Sequence, residues 1–399
     1  MDNIYIKIGA AILLALVLSL VATPLVKRFA QRVGAVDVPK DARRVHKKPI
    51  PLLGGIAIFI GFVISVLLFA DIDRQIRGIL IGAVVVVIIG VIDDFKPLKA
   101  WLKFIVQIIA ALIAVYHGVV IDILSNPLIF SAEPYLNLGV FAYPITVLWI
   151  VLITNSVNFI DGLDGLAAGV STISSVVMLI IAMLVPYPDP NVAIIMAALA
   201  GACIGFIPYN FNPAKIFMGD AGALLLGFIL ATVSVMGMFK FYAAVSFAVP
   251  LLVLALPLFD TCIAALRRIL NGKKPWAPDR GHFHHRLIDM GLSQKQAVAV
   301  LYAISGLLAI AAVVVTTSGE IRAIILIVAV VIAAAIIYFA YRGAHPRTVR
   351  PASDAEEIPE ELAKESEDEP VQVEESIESP ENTAEEDVEE EREKDVATK

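Results

Sequence analysis

Apolar runs of roughly twenty residues recur along this chain and leave no room for an ordinary water-soluble core. In hydrocarbon a backbone N–H or C=O cannot fall back on water, so such runs fold as helices that satisfy their own polar groups. The expected fold is an all-α polytopic integral membrane protein of about eleven transmembrane helices, over 4–26, 50–70, 78–92, 102–117, 141–157, 165–185, 192–208, 221–238, 243–265, 297–316 and 322–341. Between Gly118 and Gly139, alternating Val, Ile and Leu with Asn126-Pro127 and Glu133-Pro134 breaks predict a short hairpin.

Charge divides the chain in two. From Pro351 to Lys399 there are 21 acidic and 4 basic residues, leaving 27 basic and 17 acidic residues before them. The formal charge of −7 therefore hides a basic body with an excess of ten positive charges. The body is expected over residues 1–342, and residues 343–399 as an acidic, disordered tail with too few large apolar side chains to bury. Such a tail carries no catalytic role, although it offers a surface for recruiting other proteins.

Basic residues also set the orientation. In the first run Lys27, Arg28 and Arg32 follow the apolar stretch, so it reads as an uncleaved helix with its amino end outside. Connections 27–49, 93–101, 158–164, 209–220 and 266–296 hold nearly all the Lys and Arg of the body and belong in the cytoplasm. An odd number of spans then puts the carboxyl end there too. Cys203 and Cys262 lie in apolar runs and read as small hydrophobes, with neither a disulfide nor a thiol nucleophile expected.

The unusual polar residues all fall on those inner connections. Asn155, Asn158, Asp161 and Asp164 recur every third residue within Asn155–Ala168. Carboxylates at the edge of a bilayer need a cation, water or a donor. A plainer reading has Asp164-Gly165 capping the next helix. Asp93-Asp94 ends the third span and Lys103 opens the fourth; two acids oppose a helix carboxyl end, so the pair suits a divalent cation or a proton better than it suits the helix. Asp220 stands at a helix amino end, either as an ordinary cap or beside a metal-bound diphosphate. The loop holding His282, His284, His285 and Arg286 lacks the cysteines and the spacing of a zinc site, and reads as a phosphate- or sugar-binding segment; setting topology or touching anionic lipid is the simpler alternative. Lys48 belongs to a basic cluster before Pro51-Leu52-Leu53-Gly54-Gly55, whose glycines allow a loop or ligand to approach closely.

Together these clusters resemble the polyprenyl-phosphate N-acetylhexosamine-1-phosphate transferase superfamily, glycosyltransferase family 4. The resemblance covers residues 1–342, with Pro51–Gly55, Asp93-Asp94 with Lys103, Asn155–Ala168, Asn210 through Asp220 and His282–Arg286 in family order. The His-x-His-His form is similar to the bacterial branch that moves GlcNAc-1-phosphate from UDP-GlcNAc to undecaprenyl phosphate in teichoic acid or related wall-polymer initiation. The branch acting on UDP-MurNAc-pentapeptide usually carries an unbroken triple His, which Phe283 interrupts here.

The resemblance implies a Mg²⁺-dependent enzyme, with Mn²⁺ as a substitute, in the bacterial plasma membrane with its active site on the cytoplasmic face. It implies Asp220 as principal metal ligand with Asn158 contributing. Asp93 and Asp94 are implied to activate or position the lipid phosphate, and Lys103 to hold diphosphate. Asp161, Asp164 and Asn210 are implied to shape the nucleotide and diphosphate site, and His282, His284, His285 and Arg286 to read the sugar-phosphate end, with Lys48 among the substrate contacts. UDP-GlcNAc, undecaprenyl phosphate and the bilayer are the expected partners, a homodimer is compatible with this reading, and no nucleic acid is expected. A phospho-MurNAc-pentapeptide transferase, or a transporter of lipid-linked sugars, is the competing reading. Transporter sites lie near the bilayer midplane, whereas these carboxylates gather at one face.

Removing Pro351–Lys399 is expected to leave transfer by the purified protein nearly intact, whereas replacing Asp93 and Asp94 together by Asn abolishes it. Turnover of both proteins at matched concentration in detergent checks this.

Overall fold

The computed structural model describes residues 4–39, 48–125, 135–185, 189–237, 245–270, 272 and 282–318. The acidic tail, the eleventh expected span and the basic stretches 40–47 and 273–281 lie outside them. The chain is a polytopic helical membrane protein: seven described helices are long and apolar enough to cross a membrane, and two shorter apolar helices join them. The seven-helix set does not by itself reach the expected eleven.

Helix α1 (Ile4–Arg32) packs on α2 (Gly54–Phe69) and α7 (Pro190–Asn210). Helices α3 (Arg74–Phe95), α4 (Ala100–Tyr116), α5 (Ala142–Ile160) and α6 (Leu166–Leu184) run between them in sequence, and α8 (Gly219–Gly237) is the inner member. Every residue of α8 from Ala221 to Gly237 is buried, because it packs against α2, α3 and α5. A helix apolar on all sides belongs in such a position.

The expected hairpin is present as β3 (Ile123–Ser125) paired antiparallel with β4 (Tyr135–Asn137). A second pair, β1 (Val36–Asp37) with β2 (Ile50–Pro51), departs from the purely helical expectation. The ninth expected span, 243–265, is broken into α9 (Val245–Val253) and α10 (Ala255–Leu270). Pro257 lacks the N–H that would donate to Val253, and its ring crowds that carbonyl, which accounts for the interruption. Two further helices follow, α11 (Phe283–Asp289) and α12 (Gln294–Ser318).

The amino end of α8 is brought close to its neighbours by missing side chains. A methyl group on Gly55 of α2 would fall on the backbone of Gly222, and one on Gly90 of α3 on Ala221. The Pro51–Gly55 motif also supplies main-chain partners: Phe217 N–H donates to Pro51 C=O at 2.9 Å, Gly54 N–H to Phe217 C=O at 2.9 Å and Gly55 N–H to Met218 C=O at 2.8 Å. The loop that the glycines admit is therefore the segment leading into α8. Leu53, fully buried, takes a left-handed conformation with φ 73° to make this corner, a costly geometry for a side chain branched beyond Cβ.

Gly55→Ala and Gly90→Ala are each expected to destabilise the protein by about 1–3 kcal/mol or more, as overpacked sites do. Gly9→Ala, where nothing lies within 4 Å, serves as control and leaves stability unchanged or slightly raised. Thermal unfolding in detergent reads the difference.

Candidate active site

The carboxyl ends of α3, α5 and α7, the connections that follow them and the amino end of α8 line one cavity of about 790 Å³. Six carboxylates line it: Asp37, Asp93, Asp94, Asp161, Asp164 and Asp220. Asn158, Asn210, His285 and Gln294 complete its polar wall.

Asp94 builds the floor. Its Oδ1 accepts from Asp220 N–H at 2.7 Å and its Oδ2 from Ala221 N–H at 3.3 Å, so a carboxylate from α3 caps the free amino end of α8. Gly219 has φ +69°, and a methyl group there would strike the Asp94 carboxylate. The cap of α8 is thus Asp94, which leaves the Asp220 side chain facing the cavity. This also explains two acids at the carboxyl end of α3: one meets the positive end of another helix.

Lys103, at the start of α4, joins the other two carboxylates. Its Nζ donates to Asp220 Oδ2 at 2.7 Å and to Asp93 Oδ2 at 3.1 Å. Asp93 Oδ1 also accepts from Leu98 N–H at 2.7 Å, and Asp220 Oδ1 from Asn158 Nδ2 at 3.0 Å. One turn along the same two helices, Gln107 and Asn155 exchange amide hydrogen bonds, fixing α4 against α5. Asn155 therefore holds the helices that carry Lys103 and Asn158.

The Asn155–Ala168 stretch divides its labour by position. Asp161 follows the last residue of α5, and burial, then the nearby Asp220 and Asp164 carboxylates, push its carboxyl up to about 7. Asp164 does not cap α6: its Oδ2 accepts from Asn212 Nδ2 at 2.9 Å and Ala214 N–H at 3.0 Å, tying down the segment before α8. Asn210, buried, accepts from Gly165 N–H at 3.1 Å and donates to Ile216 C=O at 3.0 Å, stitching the same two segments.

The histidine segment closes one side. His285 lines the cavity, while His284 is buried with its ring filling the space beside Gly162, where a Cβ would collide with it. His282 is buried behind them against Asp260. Arg286 and Lys48 are exposed and do not line the cavity. Sequence reasoning missed Asp37, Gln294 and Asp260. Only Asp260 carried a signal, as a lone carboxylate in an apolar run.

Burial, then the neighbouring His285, lowers the His284 imidazole to about 4, so it is neutral at pH 7. An unfolded His takes up its proton near 6.5. The stability associated with neutral His284 is therefore full above 6.5 and is lost as pH falls from 6.5 towards 4, at about 1.4 kcal/mol per pH unit. His284→Gln is expected to flatten the fall of Tm between pH 6.5 and 4.5, as measured by thermal unfolding in detergent.

Residues 76–238 match glycosyl transferase family 4. Over 321 residues the chain is 41% identical to the probable undecaprenyl-phosphate N-acetylglucosaminyl 1-phosphate transferase of Bacillus subtilis, covering 80% of this chain and 87% of that protein. It is 35% identical to the decaprenyl-phosphate N-acetylglucosaminephosphotransferase of Mycolicibacterium smegmatis, over 75% of this chain and 80% of the relative. The phospho-N-acetylmuramoyl-pentapeptide-transferase of Desulfotalea psychrophila is 34% identical, over 76% of this chain and 92% of the relative. With the motifs of both sequence and cavity in family order, the chain belongs to glycosyl transferase family 4, the polyprenyl-phosphate N-acetylhexosamine-1-phosphate transferases, on the undecaprenyl-phosphate GlcNAc-1-phosphate branch.

Proposed function

We propose that this protein transfers GlcNAc-1-phosphate from UDP-GlcNAc to undecaprenyl phosphate at the cytoplasmic membrane face. The products are UMP and undecaprenyl-diphospho-GlcNAc, the first lipid-linked intermediate of a wall glycopolymer such as a teichoic acid. The observation that carries this reading is Lys103 held between Asp93 and Asp220 where membrane helices end on a polar cavity. A lipid phosphate reaches that level from the bilayer and a nucleotide sugar reaches it from water. The basic connections on this side support its cytoplasmic placement.

The reaction brings two anions together, and the cavity wall is itself rich in carboxylates, so added positive charge is needed. The donor set fits Mg²⁺. Among the described residues no three His, Cys, Asp or Glu form a metal cage, and Mg²⁺ characteristically takes only one or two carboxylates beside waters and substrate phosphates. Asp220, with the Asn158 amide oxygen, would hold it; Mn²⁺ suits the same oxygen donors. When bound, the ion supplies charge neutralisation on the diphosphate.

The chain's own groups do the rest. The lipid phosphate oxygen attacks the phosphorus that bears GlcNAc, the bond to the uridine-side phosphate oxygen breaks, and UMP leaves with that oxygen. Direct attack is favoured because Asp93, Asp94 and Asp220 each already accept two hydrogen bonds, which dulls a carboxylate as a nucleophile. Asp93 orients the incoming phosphate through Lys103, whose ammonium turns from carboxylate to phosphate. Asp161, with a carboxyl pushed up to about 7, keeps a proton part of the time at neutral pH and can donate it to a phosphate oxygen. Asp164 and Asn210 hold the wall against which the nucleotide lies.

Purified protein with Mg²⁺ and undecaprenyl phosphate is expected to release UMP from UDP-GlcNAc far faster than from UDP-MurNAc-pentapeptide. Efficient turnover of the muropeptide donor, the activity named for the Desulfotalea relative, would reverse that assignment. Chelation of the metal is expected to stop turnover. Asp220→Ala is expected to lose roughly 10³-fold or more of it while remaining folded, the scale seen when a group stabilising transition-state charge is removed. Unchanged UMP release by that variant would take Asp220 out of the site.

A further inference from the structure

Asp260 is a carboxylate only 3% exposed in α10, yet it does not reach the cavity and has no part in the transfer described above. Ionisable groups so placed need defined partners. Both its oxygens are engaged: Oδ2 accepts from His282 Nδ1 at 2.9 Å, and Oδ1 accepts from Phe283 N–H at 2.7 Å. The second bond caps the first turn of α11 with a side chain delivered from α10. On the far edge of the imidazole, an Arg268 guanidinium nitrogen lies 3.4 Å from His282 Nε2. A guanidinium can only donate and a carboxylate can only accept, so the two partners fix the ring with its proton on Nδ1 and its lone pair towards Arg268.

From that anchored ring a row of imidazoles leads to the cavity. The His282 and His284 rings are nearly parallel, with an interplanar angle of 10° and centroids 5.8 Å apart, and the His284 and His285 centroids are 4.3 Å apart. His284 fits against Gly162, between Asp161 and Leu163 of the cavity wall, and His285 lines the cavity itself. We infer that Asp260, with Arg268, is a positioning residue that sets the tautomer of His282 and the amino end of α11, and thereby places His285 for the nucleotide-sugar donor. His282 then serves as a strut and not as a substrate contact. The donor assignment rests on the function proposed above; the clamp itself does not.

The two parts separate in one set of experiments on full-length protein in detergent. With ¹⁵N-histidine labelling, His282 is expected to carry its proton on Nδ1. Asp260→Asn, which keeps one acceptor but not two, is expected to lose that tautomer preference. A wild-type proton on Nε2, or a signal unmoved by Asp260→Asn, would overturn the clamp whatever the enzyme acts on. Kinetically, Asp260→Ala is expected to raise the KM for UDP-GlcNAc roughly tenfold while that for undecaprenyl phosphate stays within about twofold. The Asp260→Ala/His282→Ala double variant should be no worse than either single one, since coupled residues are not additive. Losses that multiply, or that fall on both substrates equally, overturn positioning of the donor. Should Asp260→Ala not fold, Arg268→Gln and Asp260→Asn carry the same comparison. Absence of UMP release by wild-type protein defeats the proposed function and leaves the tautomer result standing.

Discussion

Most of this site depends on how a buried helix that begins at the membrane edge finds partners for its first N–H groups. In α8 the partner is the Asp94 carboxylate, contributed by α3, at 2.7 and 3.3 Å. A helix amino end and a carboxylate attract through both charge and hydrogen bonds, and here both sit where water is scarce. Once α3 and α8 are joined in this way, Asp93 and Asp220 come to stand on either side of the ammonium of Lys103. The two acids at the end of α3 look alike in sequence and do different work: one assembles the site, the other faces it.

The same pairing governs the charge of the site. Three carboxylates, Asp93, Asp94 and Asp220, gather around the start of α8, and like charges brought together there repel. Helix N–H groups answer Asp94, the Asn158 amide answers half of Asp220, and Lys103 bridges what is left. The protein thus holds its own counter-ion among these carboxylates.

The helices were largely legible in the sequence because apolar length is a strong signal in a membrane chain, and the glycine and proline breaks marked the hairpin. The split of α9 from α10 was not expected, since hydropathy does not register a missing hydrogen bond at Pro257. The gathering of Asp93, Asp161, Asp164 and Asp220 at one surface was visible from their place on one set of connections. Their separate duties were not: that Asp164 holds Asn212 and Ala214, instead of capping α6, depends on contacts some fifty residues away in sequence. His282, His284, His285 and Arg286 were read together as one segment meeting the sugar-phosphate end; their different placement, His282 and His284 buried and His285 lining the cavity, was not legible, because a short helix turns successive side chains in different directions. Asp37 entered unannounced, through a two-residue strand too short to leave a pattern.

The bracket between residues 51–55 and 217–218 holds three main-chain hydrogen bonds. Those bonds leave little room for a change in the number of residues between the bracket and α8. Each inserted or deleted residue turns the following helix by about 100° and shifts it by about 1.5 Å. An insertion at Gly219 would carry Asp220 away from Lys103 while leaving the composition of the site intact. This short corner is therefore constrained in length.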